Sequence, residues 1–501
     1  MLNTSIASRG KNLYLPYPFA HAQLATPHTR RRASCRGPLR RWISTCDTPQ
    51  TILDHASASK FFGASYAPIE DIEPFERYAP GGYYPVRIGD QFSSSRYRIV
   101  HKLGYGASST TWLARDVQLG RYVAMKFAMA ELERPFESAI LGILCGTDGR
   151  SGGAIPEILD ELQVEGPEIH GVRRKHHCLV TTSARMSVSE AREASGNRLF
   201  QPLVARAIAA QLIQAVAFMH SRGVVHAGRQ SGWSYQKPTT ILIMNLDLHE
   251  ANILLRLPKS IDNLTSDQLY QKYGEPELDE VTRLDGKPLD PWVPTHGVVA
   301  VWFGGASDTI SLTDSRIFLT DFSESFQPAV DSQQVSHTPF ALRSPEILLK
   351  PNSPVTFPAE IWSLACAVFA IMGQRPLFET WFPTTDKILE EHVDTLGYLP
   401  KEWWESWVNR HESFDDTLRR VDGGPRRLLQ DRLEDTIQEP RKEAGMAEME
   451  EGEEQAFLTL LRSMLSFRPE DRPSARQVLE SSWMQKWAKP ALGLLKEDPN
   501  P

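Results

Sequence analysis

The run Leu103-Gly104-Tyr105-Gly106-Ala107-Ser108-Ser109 sets two glycines one residue apart, between two short apolar stretches. Lacking Cβ atoms, such a turn lets backbone amides come close to a polyphosphate. Lys126 stands 20 residues after Gly106, at the end of Val123-Ala124-Met125-Lys126. Glu137 follows 11 residues later and opens Glu137-Ser138-Ala139-Ile140-Leu141. The order and spacing make Lys126 a candidate phosphate ligand. Much further on, Ile317-Phe318-Leu319-Thr320-Asp321-Phe322 is an apolar run that ends in a carboxylate.

These groups need elements to hold them. Tyr97–Leu103 and Thr111–Arg115 pattern as strands flanking the glycine turn, and Tyr122–Ala128 alternates as a third strand that presents Lys126. Residues 145–154 read as a flexible loop. Val204–His220, behind Pro202, carries Ile208, Leu212 and Val216 at helical spacing. Ile361–Met372 is an apolar helix, and residues 444–454 read as an acidic, solvated stretch leading into a helix near Phe457–Leu465. Residues 256–301, rich in Pro, Gly and charge without periodicity, read as an insertion.

Composition narrows the classes. The 501 residues carry 55 Lys+Arg and 62 Asp+Glu, a net charge of −7, with 41% hydrophobic residues. Such a chain can bury a large core in more than one lobe. Its longest apolar run, Ile361–Met372, is shorter than the ~18–20 residues of a membrane span. Five scattered cysteines without a CxxC pair read as reduced thiols. Residues 1–46 hold seven Arg, one Lys and no acid, which leaves −15 on the remainder. That basic, Ser/Thr-rich N-terminus fits either a mitochondrial transit segment or a disordered tail of a cytoplasmic or nuclear protein. The acidic body argues against a nucleic-acid partner and for a basic protein partner.

Taken in order, the motifs resemble those of eukaryotic protein kinases. Besides the glycine turn and the Val-Ala-Met-Lys strand, Asp321-Phe322-Ser323 resembles Asp-Phe-Gly, and Ser344-Pro345-Glu346 resembles Ala-Pro-Glu. Glu360-Ile361-Trp362-Ser363 and Arg468–Pro473 match C-terminal kinase signatures, the second implying an Arg472–Glu346 salt bridge. Gly81-Gly82-Tyr83-Tyr84-Pro85-Val86 and Thr338–Glu346 narrow the resemblance to SR-protein kinases, in a divergent filamentous-fungal branch, over roughly residues 75–490.

The resemblance implies an α+β bilobal fold. Residues 1–74 would be an extension, 75–185 a β-rich N-lobe and hinge, 186–490 a helical C-lobe with inserts at 228–246 and 256–301, and 491–501 a tail. ATP and Mg²⁺ would be the cofactors, and Arg/Ser-rich proteins the substrates. Gly104, Gly106 and Ser109 would cover the phosphates, and Lys126 would hold them, oriented by Glu137. Asp247 would be the catalytic base, and Asn252 and Asp321 would bind the metal.

The loop bearing Asp247 is interrupted. Val224-Val225-His226-Ala227 begins it and Asp247-Leu248-His249-Glu250-Ala251-Asn252 completes it, with the 19 residues Gly228–Leu246 between. Two readings fit that segment, a retained intron of 57 nucleotides or a genuine surface loop. The split loop, together with His249, Ser323 and Glu360 in place of the usual Lys, Gly and Asp, also leaves open a rival class: a pseudokinase or scaffold that binds nucleotide without transfer.

Overall fold

The computed structural model describes residues 65–130, 136–145, 153–226, 248–330, 339–351, 353–380 and 382–495. The basic N-terminus, the center of the 145–154 loop, Asp247 and the 228–246 insert lie outside the described residues.

The N-terminal part is an antiparallel six-stranded sheet in the order β1-β2-β3-β4-β6-β5. Its strands are β1 (Gln91–Phe92), β2 (Tyr97–Gly106), β3 (Ser109–Asp116), β4 (Arg121–Ala128), β5 (Ile158–Ile169) and β6 (Val172–Thr182). Alternation sets the faces: Tyr97, Ile99, Trp112, Ala114, Val123, Met125 and Phe127 form one core on the inner face. The helix Phe136–Cys145 packs against β5 and against the turn that follows Asp321.

The C-terminal part is helical around one large core. Pro202–Ser221 starts on a proline at its first turn, where a missing N–H costs nothing. It is the one helix among the described residues long and apolar enough to cross a membrane, but 72% of its apolar window is buried inside the fold. Phe357–Met372 packs beside it, with almost every residue buried. A small antiparallel sheet, β11-β8-β7 (β7 Ala184–Ser187, β8 Ile253–Arg256, β11 Ile317–Leu319), carries the segments that lead into and out of the site.

The 256–301 insertion has structure of its own: a helix at Ser266–Tyr273, with Thr265 and Gln268 in a reciprocal N-terminal cap, and an antiparallel pair, β9 (Leu278–Glu280) with β10 (His296–Val298). Leu257, Ile261, Leu269 and Phe303 pack on Val100, Leu113 and Tyr122 of the large sheet, and Val301 donates its N–H to the Lys102 carbonyl. The 444–454 stretch is also not wholly solvated: Met449 and Glu453 are buried. Glu453 pairs with Arg206 and accepts from the Trp483 indole, and those partners explain how a carboxylate lies in the core.

The ordered body begins ahead of residue 75. Tyr66 and Ile72 are buried with Phe75, Tyr78 and Tyr83 against Val281 and Val293 of the insert.

Candidate active site

The glycine turn is the hairpin joining β2 to β3, closed at Gly106 opposite Ser109. Register shifts by one residue between Lys102 and Gly104, a bulge that bends the strand as it enters the turn. A Cβ on Gly104 or Gly106 would meet nothing within 4 Å, so the space over both backbones is open to a ligand. Ser109 is buried as a strand residue, paired with Ala128 on the other side.

Lys126 comes from the middle of the sheet, opposite Thr111 and Leu179. Its ammonium lies 2.6 Å from Glu137 and 3.5 Å from Asp321. Burial alone would lower the lysine, but the two carboxylates outweigh it and hold the ammonium above its usual range. Burial acts on Asp321 in the opposite sense. Lys126, the Ser323 hydroxyl and His226 outweigh it, keeping that carboxyl below the usual range. Asp321 has φ +66°, a left-handed backbone that turns the chain directly after β11. Ser323, in the place of a glycine, donates its hydroxyl to Asp321 Oδ1 at 2.6 Å and steadies the carboxylate.

Asn252 and Asp321 are brought together by the small sheet. Leu319 pairs with Ile253, and Thr320 donates both N–H (2.9 Å) and hydroxyl (3.1 Å) to the Asn252 carbonyl. His249 caps the turn at Glu250–Asn252, its Nδ1 accepting the Ala251 N–H at 3.0 Å. Among the described residues no three His, Cys, Asp or Glu side chains cluster as a metal cage. The Asn252 amide and the Asp321 carboxylate instead form a donor pair that would fit a divalent ion whose shell phosphate and water oxygens complete.

The start of the interrupted loop is also held. His226 rests edge-on against Phe322 with ring centers 5.0 Å apart, and its Nε2 lies 2.9 Å from the Thr320 carbonyl. Its backbone N–H donates to Glu360 Oε1 at 2.6 Å, while His220 Nε2 lies 2.5 Å from the other carboxylate oxygen. Glu360, in the place of the usual Asp, thus anchors the start of the interrupted loop. Two of the four departures from the motif pattern, Ser323 and Glu360, are absorbed by compensating contacts. The expected Arg472–Glu346 bridge is present, bidentate and buried.

Lys126, Glu137 and Asp321 therefore meet in one cluster, Asn252 is tied to the strand end beside it through Thr320, and Gly104, Gly106 and Ser109 lie on the hairpin of the sheet that carries Lys126, while Asp247 lies outside the described residues. Sequence reasoning missed the contacts between the Gly81–Tyr83 motif and the glycine turn, although two adjacent glycines before a tyrosine signal a tight turn.

This geometry defines a protein kinase: a lysine–glutamate pair under a glycine hairpin, with an aspartate at the end of an apolar strand. The protein kinase domain model matches residues 310–484. A serine/threonine protein kinase of Aspergillus fumigatus is 23% identical over 426 residues, 83% of this chain and 90% of the relative. The serine/threonine-protein kinase SRPK of Physarum polycephalum is 24% identical over 440 residues, 82% of this chain and 91% of the relative. SRSF protein kinase 3 of Mus musculus is 36% identical over 113 residues, 22% of this chain and 20% of the relative. The chain is an SRPK-like eukaryotic protein kinase, an ATP-dependent serine/threonine kinase, and the pseudokinase alternative is not favored.

Proposed function

We propose that this kinase moves the γ-phosphoryl group of Mg-ATP to Ser or Thr hydroxyls in Arg/Ser-rich proteins. The observation that carries the reading is Lys126, set between Glu137 at 2.6 Å and Asp321 at 3.5 Å. Phosphoryl transfer depends on positioning and charge stabilization, and this pair must be assembled for it.

In this reading Gly104, Gly106 and Ser109 lay backbone over the phosphates. Lys126 makes charge-assisted bonds to phosphate oxygens, and Glu137 keeps its ammonium aimed there. Asp321 and Asn252 hold the metal ion. When bound, that ion neutralizes charge building on the transferring group. Asp247, joined directly to Ala227 once Gly228–Leu246 is absent, accepts the proton of the substrate hydroxyl. The basic substrate is supported by the −15 charge of residues 47–501 and by the similarity to an SRSF protein kinase.

Gly228–Leu246 is read as sequence that the working loop lacks, because a misplacement of ~1 Å at a reacting group costs about 100-fold in rate. The test compares the full 501-residue chain with a form lacking those 19 residues. Each is assayed by label transfer from ATP to an Arg-Ser peptide and to a basic peptide without serine or threonine. Transfer to the Arg-Ser peptide by the shortened form is the expected result. Mg-ATP binding without transfer in both forms would reduce the protein to a nucleotide-binding module.

A further inference from the structure

The residues ahead of the large sheet form a strap over the glycine hairpin. Pro74 leads a short turn at Phe75–Arg77, and the chain then reverses through Gly81, whose φ is +87°. Gly82 lies flush on this turn: a Cβ there would stand 1.9 Å from the Arg77 carbonyl oxygen. Only glycine fits that approach. It lets Tyr83 donate its N–H to the same carbonyl at 2.9 Å, which brings the Tyr83 ring beneath the Arg77 guanidinium at 5.8 Å.

Both side chains then end on the hairpin tip. The Tyr83 hydroxyl donates to the Gly106 carbonyl at 2.5 Å, and Arg77 donates to the Ala107 carbonyl. The third tip carbonyl, Ser108, accepts the Met129 N–H at 2.9 Å. In a planar trans peptide the N–H points opposite to the C=O. Fixing the Gly106 and Ala107 carbonyls on the strap therefore turns the Ala107 and Ser108 N–H groups away from it. Burial pushes Tyr83 up to about 12, so its hydroxyl keeps the proton it donates.

The strap itself is firmly anchored. Glu73 forms a buried ion pair with Lys102 on β2, and Lys102 also donates to the Val298 carbonyl of the insert at 3.0 Å. Tyr78 donates to Glu73 at 2.5 Å. A hairpin of two glycines would otherwise sample many conformers. Here three carbonyls at its tip have protein donors.

We propose that Arg77 and Tyr83 are positioning residues for phosphate binding, which hold the glycine hairpin with its tip amides presented to the nucleotide. This rests on the kinase reading above. The strap acts by keeping the competent loop conformer populated, and apparent affinity scales with that population.

The test uses the full chain and two probes, Mg-ATP and adenosine, measured by calorimetric titration at constant salt. Tyr83→Phe keeps the buried ring and loses only the hydroxyl, and Arg77→Met keeps a long stem without the donor. The double variant is expected to weaken Mg-ATP by roughly tenfold, as for a competent conformer that falls to a tenth of the population. Adenosine affinity should stay within about twofold, because adenosine has no phosphate for the tip amides to meet. Arg77→Lys should recover much of the Mg-ATP affinity lost in Arg77→Met. Unchanged Mg-ATP affinity in the double variant, or equal losses for both probes, would overturn the proposal. A wild-type chain that binds neither probe would instead overturn the kinase reading beneath it.

Discussion

The Arg472 guanidinium holds the Glu346 carboxylate through two hydrogen bonds of 2.7 Å, across 126 residues of chain. It also donates to the carbonyls of Pro358, Ser466 and Phe467, and its side chain is fully buried. One cation thus fixes the end of the stretch from Asp321 to Glu346, the activation segment of a kinase, together with the start of the Phe357–Met372 helix and the loop after Glu451–Met464.

Breaking a buried pair from one side costs about 3–5 kcal/mol, because the partner is left charged and unpaired. Arg472→Ala is expected to lower unfolding free energy by about 3 kcal/mol in a urea titration. Arg472→Lys should recover less than half of that, since an ammonium cannot reproduce the fork. A lysine variant as stable as wild type would show that the bidentate geometry contributes nothing.

Lys126→Met should abolish transfer in the form lacking residues 228–246 while leaving the fold intact. The lysine makes its bonds at the edge of the core, and the methionine stem can follow the same path. Circular dichroism and the thermal midpoint check the fold, and label transfer checks activity. Wild-type transfer by the variant would remove Lys126 from the phosphate site.

The charges in the site also set a pH expectation. Lys126 is raised, so the stabilization it adds is fully present below the unfolded lysine value of ~10.4 and is lost as pH rises through the folded value. Asp321 is depressed, so its contribution is present above the unfolded value of ~3.9 and is lost as pH falls through the folded one. Neither group titrates in the intervening window. Mg-ATP affinity should therefore be flat between roughly pH 7.5 and 9.5. A decline of more than about threefold there, absent in Lys126→Met, would show the lysine losing its proton.

Activation-segment phosphorylation should matter little. Many kinases use an arginine before the base aspartate to receive the added phosphate. Here that position is Leu246, or Ala227 in the shortened form, and both lie outside the described residues. Arg343, the nearby cation, stacks on Phe340 at 4.2 Å. Replacing Ser332, Ser336 and Thr338 by Ala in the shortened form should leave kcat/KM within about tenfold, or ~1.4 kcal/mol. A larger loss would mean that another cation reads the phosphate.

The strands around the site were legible because their alternation is local: Tyr97–Leu103, Thr111–Arg115 and Tyr122–Ala128 all lie inside observed strands. Lys126, Glu137 and Asp321 could be singled out because glycine turns and apolar runs punctuate the sequence beside them. What stayed hidden depends on chain distant in sequence. Glu453 looked solvated until Arg206 supplied its charge partner. The 256–301 insert looked irregular because its apolar residues answer to Val100, Leu113 and Tyr122, more than 130 residues earlier. Tyr83 read as part of a motif, yet its hydroxyl contact with Gly106 belongs to tertiary structure.

The docking of the insert on the large sheet has a consequence during synthesis. All six strands are complete once Thr182 is made, but the apolar face of Val100, Leu113 and Tyr122 is covered only when Leu257, Ile261, Leu269 and Phe303 emerge. At ribosomal rates that interval is on the order of ten seconds, long compared with strand pairing. A nascent chain therefore carries a sticky sheet face through about a quarter of its translation. Slow codons placed between 182 and 303 should lengthen that exposure and lower the soluble yield without changing the finished protein.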